Sequence, residues 1–315
     1  MVLTQRHTAA IVLTLFYSVS ALPTTQVKQD ELYTQPIGNL GESFKPTGPP
    51  PTIIQLTPSN LASVGHVTEV PSLFGLSSPY SDTDEDLAER GIVGVDNRVV
   101  WNSTDYPYSA MGRLIWSTGA YCTGTLVGPR HVATARHCSP SDDQTGITVT
   151  FQPDYFNGER FPSSKVGPVL SLSGVDVVNN PDACDYKNDW AIMVLDDPLG
   201  NDRGYMGAKT VDSSLLKRAI FYHLGYPLDL GQGERQYRQY PITISSSTGC
   251  DAYGPMVTDA DADSGQSGGP LWLPPDAAGD RYMYGVASST SSTGTNFAGG
   301  DAFLQGIAYV RQNYP

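Results

Sequence analysis

The 315-residue chain is short of positive charge, of cysteine and of long apolar runs, and each shortage removes a class of function. It carries 19 Lys and Arg against 32 Asp and Glu, a net charge of −13, and beyond residue 90 the balance is still 23 acidic to 15 basic. An acidic surface repels phosphate backbones and anionic headgroups, so neither a nucleic acid nor a membrane is expected as partner. After residue 21 no apolar stretch is long enough to form a spanning helix. Cys-x-x-Cys and paired-histidine spacings are both missing, which argues against a zinc site, and no metal or other cofactor is expected. The alternation Asp259-x-Asp261-x-Asp263 fails as a calcium loop because its sixth and twelfth positions are Ser264 and Pro270. No long helical period precedes the last dozen residues.

What the chain does have is zoned. Residues 1–21 place Arg6 and His7 before the apolar run Ala9 to Phe16 and the small-x-small triplet Val19-Ser20-Ala21, the form of a secretory signal peptide. Residues 22–90 contain Gly48-Pro49-Pro50-Pro51, many Ser and Thr, no cysteine and the acidic run Asp82 to Glu89, a composition that suits a linker. All four cysteines, Cys122, Cys138, Cys184 and Cys250, come later, and an even number in a secreted chain points to two disulfides with three possible pairings.

Beyond residue 90 short apolar or alternating runs recur between Gly, Pro, Asn and Asp. They are Leu114 to Trp116, Cys122 to Val127, His131 to Ala135, Gly146 to Phe151, Ala191 to Leu195, Ala219 to Leu224 and Met283 to Ala287. So many strands in one domain of this size mean an all-β sandwich or barrel, with Ala302 to Tyr314 as a terminal helix.

Chemistry is concentrated in three segments: Thr134-Ala135-Arg136-His137-Cys138, Asp189-Trp190-Ala191-Ile192 and Gly265-Gln266-Ser267-Gly268-Gly269-Pro270. A serine hydroxyl needs a base to take its proton, and the base needs an acid to hold its tautomer. His137, Asp189 and Ser267 can fill these roles. The pattern Gly-x-Ser-x-Gly also fits the nucleophile elbow of α/β-hydrolases, where the histidine follows the serine. Here the five histidines, His7, His66, His131, His137 and His223, all precede Ser267, and that fold is excluded.

In the order His, Asp, Ser and with these flanks, residues 91–315 resemble a trypsin/chymotrypsin-like serine protease. The resemblance implies two six-stranded antiparallel β-barrels, with His137 and Asp189 from the first and Ser267 from the second. It also implies pairing of Cys122 with Cys138, leaving Cys184 with Cys250, and an oxyanion hole from the N–H groups of Gly265 and Ser267. Arg90 followed by Gly91-Ile92-Val93-Gly94 looks like a mature start, which makes 22–90 a propeptide and 91–315 the protease domain. A secreted monomeric endopeptidase acting on proteins or peptides is the expectation.

Gln266 departs from the trypsin pattern, in which an aspartate before the nucleophile pairs with the inserted N-terminus. An amide there is typical of the glutamyl endopeptidase branch, whose mature start also resembles Val95 to Tyr108. That branch reads glutamate with a histidine and a threonine or serine, yet Ala287 and Ala262 stand at those places, with Ser288 and the N-terminal amine at residue 91 as remaining candidates. Asp261 occupies the position that gives trypsin its basic specificity. These departures, with Arg136 before the histidine, leave a second reading: a catalytically silent homologue acting as a secreted binding module. Asn102-Ser103-Thr104 is a glycosylation sequon near the expected mature start.

Overall fold

The computed structural model describes residues 49–73, 96–140, 146–276, 279–291 and 294–315. The signal peptide and the Arg90–Gly94 junction lie outside the described residues. In chain order the elements are β1 (Thr52–Leu56), α1 (Pro58–Ala62), β2 (Glu69–Val70), β3 (Val99–Val100), β4 (Met111–Trp116), β5 (Tyr121–Leu126), β6 (His131–Thr134), β7 (Val149–Pro153) and β8 (Ser164–Leu172). There follow α2 (Ala183–Lys187), β9 (Ala191–Leu195), α3 (Gly200–Arg203), β10 (Gly207–Lys209), β11 (Ala219–Gly225), β12 (Tyr237–Ser246) and β13 (Met256–Thr258). The last are β14 (Pro270–Trp272), β15 (Tyr282–Ser291), β16 (Gly294–Gly299) and α4 (Asp301–Asn313).

Antiparallel pairing closes two six-stranded barrels, β4-β5-β6-β9-β8-β7 and β11-β12-β13-β16-β15-β14. Closure pairs most of each ring's strand edges and leaves only short ones such as the end of β8, so the short strands found by alternation are stable without a flanking helix layer. Leu114, Leu126, Val132, Phe151, Val169 and Met193 fill the first barrel. Phe221, Ile242, Ile244, Leu271, Tyr284 and Phe297 fill the second. A third cluster, with Trp190, Phe303, Leu304, Ile307 and Val310, seats α4 against the body. Gly306 lets α4 approach closely, since a Cβ there would meet the Trp190 ring at 2.6 Å.

Composition alone allows a linker before residue 90, and part of that zone is not one. Residues 49–73, from the zone whose composition suits a linker, are built into the body: β1 runs parallel to β8 over five register pairs, and β2 pairs antiparallel with β10. Leu56, Leu61 and Val70 are buried. Apolar side chains at these few positions find partners on the barrels, which composition averaged over 69 residues conceals. Among the described residues no helix is long and apolar enough to cross a membrane.

Candidate active site

The loop after β6 forms a single 3-10 turn, Arg136–Cys138, that carries His137. A disulfide from Cys138 to Cys122 on β5, closing a separation of 16 residues, fixes that turn to the barrel wall. Closing a loop of this length contributes about 3 kcal/mol in the chain-entropy account. The second disulfide joins Cys184 on α2 to Cys250. Helix α2 is capped by Asp182, whose side chain accepts from the Cys184 and Asp185 N–H groups, and it ends just before Asp189. Trp190, packed at 5.9 Å from Phe303 of α4, anchors the next residue in the core. Asp189 is thus delivered between a tethered helix and a buried indole.

Asp189 is 1% exposed and uses both oxygens on His137: Oδ1 accepts the His137 backbone N–H at 3.0 Å, and Oδ2 lies 2.7 Å from Nδ1. A carboxylate facing Nδ1 favours the tautomer with its proton there, which directs the basic lone pair of Nε2 away from Asp189. The Ser288 hydroxyl donates to the same Oδ2 at 2.7 Å. That bond uses the one proton of the hydroxyl, so toward any other partner Ser288 can only accept.

The Gly265–Gly269 loop is held against this pair from the first barrel. Thr123 of β5 donates its N–H to the Ser267 carbonyl at 2.9 Å and its hydroxyl to the Gly265 carbonyl at 2.8 Å. A Cβ on Gly268 would run into Thr134 and approach the Ala135 N at 2.9 Å, so glycine is required where the loop passes the His137 turn. Gly265 adopts φ +90° with no room for a side chain beside Tyr121 and Tyr226. Within the loop, the Gln266 N–H donates to the Asp263 carbonyl at 3.0 Å and the Gly269 N–H to the Gln266 carbonyl at 2.9 Å. Gly268 N–H and Gly269 carbonyl bond to Ala287 on β15, both at 2.8 Å. His137 and Ser267 are half-buried, open enough for a substrate to reach.

Gln266 is fully buried, and its Oε1 accepts from Arg98 at 2.5 Å. The Arg98 side chain is 1% exposed and also pairs with Asp96 at 2.7 Å and Asp229 at 2.5 Å. A cation 168 residues away in sequence therefore holds the residue next to Ser267. Nothing local in the sequence marks Arg98 for this role; Thr123 was equally invisible, standing in an ordinary strand pattern.

The remaining candidates separate cleanly. Asp259, Asp261 and Asp263 are each paired differently: Asp259 accepts from Thr243 N at 2.7 Å, Asp263 from Asp229 N at 3.1 Å, and buried Asp261 from Asn97 N at 3.2 Å and Gln239 Nε2 at 3.3 Å. Burial, and secondly the charge of Asp229, raises the pKa of Asp263. Ala287 is buried and Ala262 half-buried. Asn102 is exposed and accepts from Arg160 through its Oδ1. In a glycosylating host its side-chain nitrogen is expected to carry a glycan; an unchanged mass after glycosidase treatment would count against this. Cys122, His137 and Cys138 bring three potential metal-ligand atoms together, but the two sulfurs are joined in a disulfide and offer no thiolate.

Neither other described core histidine is placed as a base. His131 shares a hydrogen bond at 2.8 Å with the Tyr314 carbonyl, and His223 one at 3.0 Å with the Pro270 carbonyl. Desolvation pushes both imidazoles down to about 4. Burial conversely pushes Asp154, wholly enclosed, up to about 6. The two histidines stabilise the fold above pH 6.5 and lose that contribution as pH falls toward 4, while Asp154 contributes below pH 3.8 and loses it as pH rises through 6. Between these limits the unfolded chain takes up two imidazole protons against one held by Asp154 in the fold, so these three groups together make stability rise with pH. Thermal unfolding at pH 4.5 and 6.5 checks this, and an equal or higher midpoint at the lower pH would contradict it.

Against this geometry, residues 99–307 match the family described as Trypsin. The chain belongs to the trypsin family. A glutamyl endopeptidase of Bacillus licheniformis is 31% identical over 190 residues, covering 58% of this chain and 55% of the relative. An extracellular metalloprotease of Bacillus subtilis is 28% identical over 212 residues, covering 62% and 66%. The chain therefore spans between about half and two thirds of these curated relatives. A solved structure of a Glu endopeptidase in complex with MPD superposes with a TM-score of 0.56 at 21% identity, over 70% of this chain and all of that one, which supports the fold.

Proposed function

We propose that this trypsin-family chain is a secreted serine endopeptidase that hydrolyses peptide bonds through an acyl-enzyme on Ser267. The observation that carries the reading is the two-point grip of Asp189 on His137, with the Ser267 loop packed on the same turn. In the first half-reaction His137 Nε2 takes the Ser267 hydroxyl proton as the oxygen attacks the substrate carbonyl, then returns it to the leaving amine. Water repeats the sequence in reverse and frees the acid product. Asp189 stabilises the imidazolium at Nδ1, and Ser288 orients that carboxylate. In this reading the Gly265 and Ser267 N–H groups receive the oxyanion, the site where preorganised donors usually contribute most.

In this reading residues 1–21 are a signal peptide, cleavage follows Arg90, and 91–315 hold the catalytic machinery of a monomer. The metal in the name of the Bacillus subtilis relative is not carried over, because the cysteines beside His137 are oxidised to a disulfide. Asp261 is engaged by Asn97 and Gln239, so a preference for Arg or Lys at the cleaved position is not expected to come from it. Digestion of a peptide library by the processed protein tests the proposal: cleavage that vanishes in the Ser267→Ala variant is the expected result. Absence of any cleavage by folded, processed protein would favour the binding-module reading, and dominance of Arg or Lys would return Asp261 to the pocket.

A further inference from the structure

The segment from residue 52 to residue 73 engages the body through strand pairing, side-chain hydrogen bonds, an ion pair and apolar burial. β1 adds a parallel strand to β8, and the Ser173 N–H extends the ladder to the Leu56 carbonyl at 2.9 Å. Thr57 caps α1 with a reciprocal bond to Asn60, and Asn60 Nδ2 reaches the Tyr309 hydroxyl of α4 at 3.2 Å. Leu56 and Leu61, 1% and 6% exposed, join the core cluster of Trp190 and α4. β2 lies so close to β10 that a Cβ on Gly207 would meet the Val70 carbonyl at 2.5 Å. Its Glu69 accepts from Tyr282 at 2.5 Å and pairs with Lys209 at 3.0 Å. Finally Leu73 and Tyr205 exchange backbone bonds at 3.0 and 3.3 Å.

The body also depends on the segment. Arg311 of α4 is largely buried and held by carbonyl oxygens, of Val127, of Met206 at 3.4 Å and of Pro71 at 2.8 Å, the last contributed by the segment. Burial pulls its pKa down to about 10. Removing Pro71 would strip an acceptor from a poorly solvated cation and uncover Leu56, Leu61 and Val70 together with the apolar faces they cover. The hydrogen bonds that leave 52–73 reach β8, β10, β15, α4 and their flanks and also Tyr106, and among the described residues none is seen to end on the loop Gly265–Gly269.

We propose that residues 52–73 form a permanent strap that stays bound to the body after the chain is cut at Arg90, making the processed protein a two-chain molecule held without a covalent link. The inference rests on the processing reading above for its setting, but not on catalysis. The partner that the β8 edge and the α4 face fit is the chain's own N-terminal segment. Residues 22–90 contain no cysteine, so the connection is by strand pairing, apolar burial and the Arg311 and Glu69 contacts. The strap supports the barrels rather than blocking the site, which distinguishes it from an inhibitory segment that leaves on activation.

The test uses the full-length Ser267→Ala precursor, which removes self-digestion. Arg90 is the only Lys or Arg between residues 74 and 95, so limited trypsin treatment cuts there; if it resists, a protease recognition sequence inserted between residues 80 and 90 supplies the cut. Denaturing mass spectrometry confirms two fragments, and gel filtration under native conditions asks whether they travel together. Co-elution, with separation only in denaturant, is expected. The Leu56→Asp/Leu61→Asp variant, which leaves the triad untouched, should release at least about ten times more of the small fragment, because two buried apolar side chains become charged. Separation of the fragments from the unsubstituted body under native conditions would overturn the proposal, as would retention by the double variant equal to that of the parent. Both results are read from mass and elution, so they stand apart from whether Ser267 is a nucleophile.

Discussion

Ser267→Ala is expected to lower kcat by roughly 10⁶-fold, with His137→Ala about as damaging and Asp189→Asn on the order of 10⁴-fold. The double variant Ser267→Ala/His137→Ala should be little worse than either single one, because nucleophile and base act as a unit. Asp189→Asn keeps the shape but changes the partner of His137 Nδ1 from an acceptor-only carboxylate at 2.7 Å to an amide that can turn its NH₂ toward the ring. His131→Ala is the internal control. Its ring bonds to the Tyr314 carbonyl, so kcat for the folded fraction should hold while stability falls. Steady-state kinetics normalised to folded protein checks the series. Additive losses in the double variant would mean that His137 is not the base for Ser267.

The second large effect is expected at Arg98, a positioning residue that touches no substrate. Its guanidinium holds the Gln266 side chain, and Gln266 sits between the two N–H groups assigned to the oxyanion. Arg98→Met would leave Gln266 Oε1 with only the Asp263 N–H at 3.1 Å, and would deprive Asp96 and Asp229 of their cation. Those carboxylates are 30% and 42% exposed, so water takes up part of the loss and the stability penalty should stay near 1–3 kcal/mol. Displacing the loop by about an ångström should cost on the order of 10² in kcat. Because the defect lies in oxyanion alignment, kcat should fall with KM little changed, and Arg98→Lys should restore part of it. A loss confined to the unfolding temperature, with kcat per folded molecule intact, would reduce Arg98 to a structural ion pair. Gln266 removes the carboxylate that an inserted N-terminus would need, and a side chain already in the chain takes over the support of this loop.

The legible part of this protein is the part encoded locally. Flanking residues around His137, Asp189 and Ser267 mark the candidate site because each sits where a short strand or its turn must deliver a side chain, and the apolar run Ala191 to Leu195 coincides with β9. Strands broken by proline were lost. β12 contains Pro241, and sequence rules demote such a run. In the fold Pro241 is exposed and the β11 partner carries register irregularities beside it, so its missing N–H costs little. β8 was hidden for the same reason by Gly167-Pro168, which also face a bulge against β9. Contacts made at a distance were lost as well. Thr123, Arg98 and Ser288 act through partners more than 90 residues away, and no periodicity or motif announces such pairs. The strap fails as a sequence reading for a thermodynamic reason: its apolar residues are too few to fold alone and acquire meaning only against β8, β10 and α4.

The most direct test of the account is reaction of the processed, folded protein with a fluorophosphonate, followed by mapping of the adduct by peptide mass spectrometry. A serine is labelled rapidly only when a neighbouring base activates it and oxyanion donors receive the phosphoryl oxygen. The account predicts a single adduct on Ser267, slowed by orders of magnitude in His137→Ala and retained in His131→Ala. No adduct on folded, processed protein, or an adduct on any other residue, would contradict it.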